Sequence, residues 1–335
     1  MKKTKFAILG CGTIGDVHAR AIMELDTAEL FAVCDVNLKK AREYAAKYGV
    51  RAYSDYAELL DEAEIDVVTI CTPSGMHADQ AIAALNKDKH VIVEKPMALN
   101  STDAKRVCDA AEKSNKLLSV IFQTRYTEDI QYVKKVLDEK KLGTLVFCDL
   151  YMKYWRSPSY FEASRWRGTF AMDGGGALMN QGIHGIDVMH YLCGAPKLLG
   201  AKVKTLVHSI ETEDTAVAAV EYPCGALGVI QASTSANPGF DRKIEIHGSR
   251  GYATIVDAHL EKLFIDGEFV VNQKVEASAG TSSDPTKMNH EKHLLQFKNF
   301  VNALFGEEKL VSTAKDGYAA VNFIEKIYEL SKTTK

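Results

Sequence analysis

The first thirty-five residues constrain the fold most. An apolar run, Lys5–Leu9, leads straight into Gly10-Cys11-Gly12-Thr13-Ile14-Gly15, which has the form G-x-G-x-x-G. A helical pattern follows to about Leu25, a second apolar run covers Ala28–Val33, and Asp35 closes it. Strand, glycine turn, helix, strand and acid form the order of a dinucleotide-binding unit. Gly10 is expected to make the tight turn, Gly12 to let a pyrophosphate approach the backbone, and Gly15 to seat helix on strand. Thr13 and Ile14 open a helix whose first N–H groups are available to an anion. Asp35 lies 20 residues after Gly15. There its carboxylate accepts from ribose hydroxyls and repels a 2′-phosphate, so NAD is expected over NADP. Lys39 and Lys40 are expected on the outer face of the next helix.

The alternation continues. Helices are read at Leu38–Tyr48, near Asp55–Leu60, at Ala78–Leu85 and at Thr102–Asn115. Strands are read at Val67–Cys71, His90–Val93 and Leu117–Phe122. This rhythm implies a parallel sheet covered on both faces, with ligands beyond the carboxyl ends of its strands. Two clusters stand at such ends: Thr72-Pro73-Ser74-Gly75-Met76-His77 and Glu94-Lys95-Pro96. Thr72, Pro73, His77, Glu94 and Lys95 are therefore assigned to the cofactor cleft. A lysine between a buried strand and a proline has little freedom, and its ammonium is expected to point into that cleft.

A chain of 335 residues exceeds one ordinary core, so two domains are expected. Residues 1–122 form the NAD(P)-binding Rossmann domain and 123–335 a substrate-binding and oligomerisation domain. The last helix, Thr313–Leu330, is read as able to return to the first domain. Beyond Phe122 the pattern shifts to alternating strands with tight joints such as Asp266-Gly267, which predicts an α/β domain with an open, mainly antiparallel sheet. On one strand Val229, Gln231, Ser233 and Ser235 alternate with Ile230, Ala232, Thr234 and Ala236. Neither face is strongly charged, so one is expected to meet a partner.

Within this domain, Asp173–Leu192 begins with Gly174, Gly175 and Gly176 and then turns helical. Leu178, Ile186, Met189 and Leu192 share an apolar stripe, and Gly194 stands where a helix should end. Asn180, His184, Asp187 and Tyr191 form a polar row at i, i+4, i+7 and i+11, expected to face something wet and specific. The segment Trp155–Met172 lacks periodicity and holds Arg156, Tyr160, Arg165, Trp166 and Arg167. Arginines and large aromatics together suit an anionic or sugar-like ligand. Arg125 and Asp187 complete the candidate substrate set.

A net charge of −3 argues against a nucleic-acid binder. No apolar run reaches membrane-spanning length, and the apolar run near the N-terminus breaks at Gly10, so neither span nor signal peptide is expected. Seven cysteines without a C-x-x-C pair fit reduced thiols in a cytoplasm. His184, Asp187 and His190, and His290 with His293, have partial ligand spacing, but no H-E-x-x-H occurs. No metal is expected.

Taken together, GCGTIG, CTPSGMH, EKP and GGGALMNQGIHGID resemble the Gfo/Idh/MocA family of sugar and polyol oxidoreductases, nearly end to end. The resemblance implies a nicotinamide cofactor, hydride transfer at a carbinol, and dimers or tetramers through the second sheet. It puts Lys95 in the place of the lysine that bonds the reacting hydroxyl and His184 in that of the histidine acid/base. Polyol dehydrogenases of the family carry Asp four residues before the histidine, where this chain has Asn180. Asn-Gln-Gly-Ile-His is similar to the stretch in enzymes oxidising the 3-hydroxyl of nucleotide-linked N-acetylamino-sugar uronates. The residues alone support the same chemistry: His184 suits proton transfer at neutral pH, and Lys95 can stabilise alkoxide charge. The competing readings are an inositol or polyol dehydrogenase of the same family and a non-catalytic dinucleotide-binding sensor, which would not need both residues.

Overall fold

The computed structural model describes residues 3–163, 166–275 and 290–333. It divides into two units, Met1–Gln123 with Met288–Tyr318, and Thr124–Lys287 with Ala319–Lys335.

Six parallel strands build the first unit: β1 (Thr4–Leu9), β2 (Ala28–Cys34), β3 (Arg51–Tyr53), β4 (Val67–Ile70), β5 (His90–Val93) and β6 (Leu118–Val120). Their order is β3-β2-β1-β4-β5-β6, so the winding reverses between β1 and β4. Helices cover both faces, which is why every residue of β4 is buried and its sequence is a continuous run. The helices are α1 (Thr13–Glu24), α2 (Leu38–Tyr48), α3 (Tyr56–Asp61), α4 (His77–Asn86) and α5 (Ser101–Ser114). Local chemistry fixes their ends: Asn37, Asp55 and Asn100 accept from amides of the first turns of α2, α3 and α5, and Gly49 ends α2 at φ 70°.

The sequence pattern places α9 (Glu291–Leu304) in the second domain. It belongs instead to the first unit. Phe297, Phe300 and Val301 enter the core that holds Phe6, Ile8 and Ile22, and Gln296 bonds Ser119 Oγ at 2.9 Å and the Phe122 amide at 3.1 Å. The final helix, α10 (Ala314–Thr333), falls mostly in the second unit, with its first residues counted in the first.

The second unit contains α6 (Glu128–Asp138), α7 (Pro158–Glu162), α8 (Ile183–Cys193) and an eight-stranded sheet. Its strands are β7 (Leu145–Lys153), β8 (Lys197–Lys204), β9 (Thr215–Glu221), β10 (Leu227–Ser233), β11 (Lys243–Gly248), β12 (Gly251–Val256), β13 (His259–Ile265) and β14 (Glu268–Asn272). The order is β14-β13-β12-β11-β7-β10-β9-β8, antiparallel except for the β7–β10 pair. One face is apolar and buried: Cys148, Leu150 and Met152 of β7, Ile230 of β10, Ile244 and Ile246 of β11. α8 lies on it. A Cβ on Gly185 would stand 2.5 Å from Met152 Sδ, so glycine is what permits this approach. Among the described residues, no helix is long and apolar enough to cross a membrane.

Candidate active site

The first unit supplies a nucleotide cradle. Gly10 has φ +102°, and a Cβ there would meet Cys71 O at 2.7 Å; one on Gly15 would meet Gly10 O at 2.3 Å. Around Gly12, by contrast, a Cβ would meet nothing within 4 Å. No side chain caps α1 at Gly12, and Tyr44 donates its hydroxyl to the Gly12 carbonyl at 2.5 Å. An open approach to uncapped helix amides fits a pyrophosphate. Asp35 is held by Cys11 N at 3.0 Å on Oδ2 and by Asn37 N at 2.9 Å on Oδ1, leaving lone pairs for ribose hydroxyls. Lys40 does not point away as its helical position predicts: its ammonium lies 3.6 Å from Asp35 Oδ2.

The loops after β4 and β5 are tied together by His77. Its ring is buried, with Nδ1 2.7 Å from Pro96 O and Nε2 2.8 Å from Thr72 O. Burial lowers its pKa, and a neutral ring donates to one of these carbonyls at a time. His77 therefore shapes the cleft wall. Glu94, also assigned to the cofactor, is 7% exposed and faces inward onto His18. Lys95 follows it, half-buried, and the Lys95–Pro96 bond is cis.

In the second unit, the glycine run is packed from two sides. A Cβ on Gly175 would stand 2.1 Å from Tyr328 Oη, and one on Gly176 1.9 Å from the Glu213 carbonyl. The Glu213 carboxylate accepts from Gly176 N at 3.0 Å, Leu178 N at 2.8 Å and Tyr328 Oη at 2.9 Å. Burial raises its pKa despite these donors. Residues 177–182 then form a π-helical turn before α8 begins.

This turn carries a polar chain. Asn180 donates to Asp173, and its Oδ1 accepts from Gln181 Nε2 at 2.7 Å. Gln181 also donates to Tyr160 Oη at 3.0 Å and accepts from Arg156 Nη2 at 2.6 Å. The Tyr160 ring lies 4.2 Å from the Arg167 guanidinium and 5.5 Å from that of Arg156. Arg167 is also 5.6 Å from the Trp166 ring. Arg156, Tyr160, Trp166, Arg167 and Asn180 thus form one connected group. Arg165 lies outside the described residues. His184 is half-buried on the first turn of α8.

Arg125 and Asp187 are placed differently from the wet polar row read in the sequence. Arg125 makes a two-pronged bond to Asp187, Nε to Oδ2 at 2.8 Å and Nη2 to Oδ1 at 2.6 Å, with 3% and 1% of the residues exposed. This pairing ties α8 to the segment preceding α6.

Sequence reasoning misses Asp173, Gln181 and Glu213 here, and His18 in the first unit. For His18 there is a signal: it interrupts the Ile14–Ile22 stripe of α1 at i+4. Glu213 has none, because its amide partners lie 35 and 37 positions away.

Residues 4–122 match a family described as an oxidoreductase family with an NAD-binding Rossmann fold. Residues 130–254 match the GFO/IDH/MocA C-terminal domain. The chain is 30% identical over 255 residues to myo-inositol 2-dehydrogenase of Thermotoga maritima, covering 74% of this chain and 73% of the relative. It is 25% identical over 354 residues to D-glucoside 3-dehydrogenase of Escherichia coli, covering 98% and 95%. The crystal structure of the WlbA dehydrogenase from Bordetella pertussis, in complex with NADH and UDP-GlcNAcA, superposes with a TM-score of 0.87 at 29% identity, covering 99% and 97%.

Proposed function

The chain belongs to the GFO/IDH/MocA family of NAD-binding oxidoreductases, and we propose that it oxidises a secondary hydroxyl of a nucleotide-linked sugar acid. The observation that carries this reading is the Arg156–Gln181–Asn180–Asp173 chain with Arg167 over Tyr160. It presents the Arg167 guanidinium and an aromatic plane beside the helix that bears His184, braced by Arg156, which is 4% exposed and bonded to Gln181 and the Trp155 carbonyl. Guanidinium groups suit carboxylate and phosphate oxygens. The WlbA neighbour, whose crystals hold UDP-GlcNAcA, supports the same substrate class.

Nicotinamide, when bound, supplies the hydride acceptor or donor. The chain supplies the rest. Asp35 and the open backbone at Gly12 hold the dinucleotide. Lys95 bonds the reacting hydroxyl and stabilises the negative charge that grows on its oxygen. His184 takes up the hydroxyl proton. Arg167 binds the anionic part of the substrate, and Arg156 holds Gln181 and Tyr160 in place beside it. The protein acts as a homodimer or homotetramer in the cytoplasm. The exposed Phe147, Val217 and Leu227 on the outer face of the second sheet support the first statement, and seven free cysteines support the second.

The test is steady-state turnover with nucleotide-sugar acids, free sugars and inositols, for wild type, Lys95→Ala and His184→Ala. Each variant should lose about 10²–10⁴-fold in kcat and keep its NAD affinity. Preference for an inositol would favour the polyol reading, which the T. maritima relative supports. NAD binding without turnover of any of these compounds would favour the sensor.

A further inference from the structure

We propose that His18 sets the position of Lys95 by gripping Glu94, so that Glu94 is a positioning residue and not a cofactor ligand. This rests on the reading of Lys95 above. Both Glu94 oxygens have partners inside the protein. Oε1 lies 3.1 Å from His18 Nε2 and 3.8 Å from His293 Nε2, and Oε2 accepts from the Lys95 amide at 3.1 Å. The carboxylate therefore folds back over the peptide from which the Lys95 side chain departs. His18 is itself fixed, with Nδ1 2.7 Å from Thr69 Oγ1. With the threonine hydroxyl donating there, Nε2 carries the ring proton and donates to Glu94. Residues of α1, β4, the end of β5 and α9 thus meet behind Lys95.

All three groups are nearly sealed from water: His18 0%, His293 1% and Glu94 7% exposed. A buried carboxylate stays charged only when donors compensate its lost hydration. Burial alone would raise the pKa of Glu94, yet the two imidazoles hold it ionised, well below the usual carboxylate range. The charge makes the grip strong, because hydrogen bonds to an ionised acceptor are about twice as strong as neutral ones. The three ligand atoms lie within 4.8 Å of one another, a spacing that a metal ion would also accept. The His18–Glu94 hydrogen bond already accounts for the closest pair.

Misplacing a catalytic group by about 1 Å can cost 10²-fold. Glu94→Gln puts an amide donor where His18 or the Lys95 amide needs an acceptor. It should lower kcat by about 10–10²-fold while NAD affinity changes less than about threefold. His18→Gln keeps an N–H donor and should retain most turnover; His18→Leu should fall with Glu94→Gln. In a Lys95→Ala background, Glu94→Gln should cost little more, since it acts through Lys95. Thermal melting identifies any variant that fails to fold, and the two His18 variants then carry the comparison. An undiminished loss in the Lys95→Ala background would overturn the proposal. So would a loss of NAD affinity matching that of turnover, or a stoichiometric metal in the purified protein that Glu94→Gln removes. Near-normal turnover in Lys95→Ala would instead sink the reading of Lys95 itself.

Discussion

The side-chain amide of Asn180 donates to a carboxylate oxygen of Asp173, and both residues are buried. The sequence alone suggests that Asn180→Asp would simply add charge beside His184. The structure changes that expectation. The substitution sets one carboxylate against another in a site with little water, and such a pair retains a proton at neutral pH. The folded pKa of the pair is then raised above the unfolded value. The resulting instability is greatest at neutral pH and disappears as pH falls towards about 4. Every tenfold rise in the pair's proton affinity on folding costs about 1.4 kcal/mol at neutral pH. Thermal unfolding of Asn180→Asp and wild type at pH 7.5 and 4.5 should show the gap closing on acidification. A gap that widens would refute this, as would an acid limb of kcat displaced to higher pH by a new full charge beside His184.

Much of the first unit is legible because most of its strands are buried on both faces and α2, α3 and α5 begin at their own side-chain caps. Alternation does not give the strand order, with its reversal between β1 and β4, but the presence of β1, β2, β4, β5 and β6 follows from it. That of β3 does not, since three residues are too few to show a period. The amphipathic pattern of α9 shows that one face is buried but not against which core, so chain order alone puts the helix in the wrong unit. In the polar row, 3.6-residue spacing puts Asn180, His184 and Asp187 on one exposed face. The π-helical turn at 177–182 and the ion pair to Arg125 are tertiary events without a local pattern. Asp187 is therefore a buried anchor, and Asn180 bonds Asp173 and Gln181.

His18 and His77 are fully buried, and burial lowers the pKa of each. Glu94 and His293 face His18; Glu94 and Lys95 act on His77. Because the unfolded chain takes up protons more readily at these sites, their stabilisation is fully present above about pH 6.5 and is lost as pH falls below it. The limiting slope is about 1.4 kcal/mol per pH unit for each histidine. Unfolding free energy measured from pH 8 to pH 5 should decline below about 6.5, and His77→Gln should flatten the decline. A curve level from 8 to 5 would contradict this account.

Asp35 and Lys40 oppose one another in cofactor choice. The Asp35 carboxylate repels a 2′-phosphate, while the Lys40 ammonium, 3.6 Å from it, attracts one. Wild type should bind NAD more tightly than NADP, because a carboxylate at this position can also accept from ribose hydroxyls. Asp35→Ala should narrow the difference, and Lys40→Ala should widen it, each by roughly tenfold for about 1.4 kcal/mol. Fluorescence titration with both reduced dinucleotides measures all three proteins. Equal affinities in wild type would sink the argument.

The outer face of the second sheet carries a row of rings across β11 to β14. His247 and Tyr252 are 5.5 Å apart, Tyr252 and Phe264 5.8 Å, Phe264 and Phe269 5.2 Å. Phe147 pairs with His247 in register and is 48% exposed; Val217 and Leu227 extend the apolar surface at 46% and 47%. Large contiguous apolar patches on a soluble protein mark an interaction surface, and a self-complementary patch closes most simply as a two-fold dimer. Light scattering at micromolar concentration should therefore report a dimer or tetramer. Phe147→Lys and Val217→Lys place charges on that face without touching Cys148, Ala216 or Ala218, whose side chains point to the buried side. Each should shift the population towards monomer, while NAD affinity stays within about threefold because the cradle lies in the other unit. A wild-type monomer, or an oligomer indifferent to both substitutions, would show that this sheet face is not the contact.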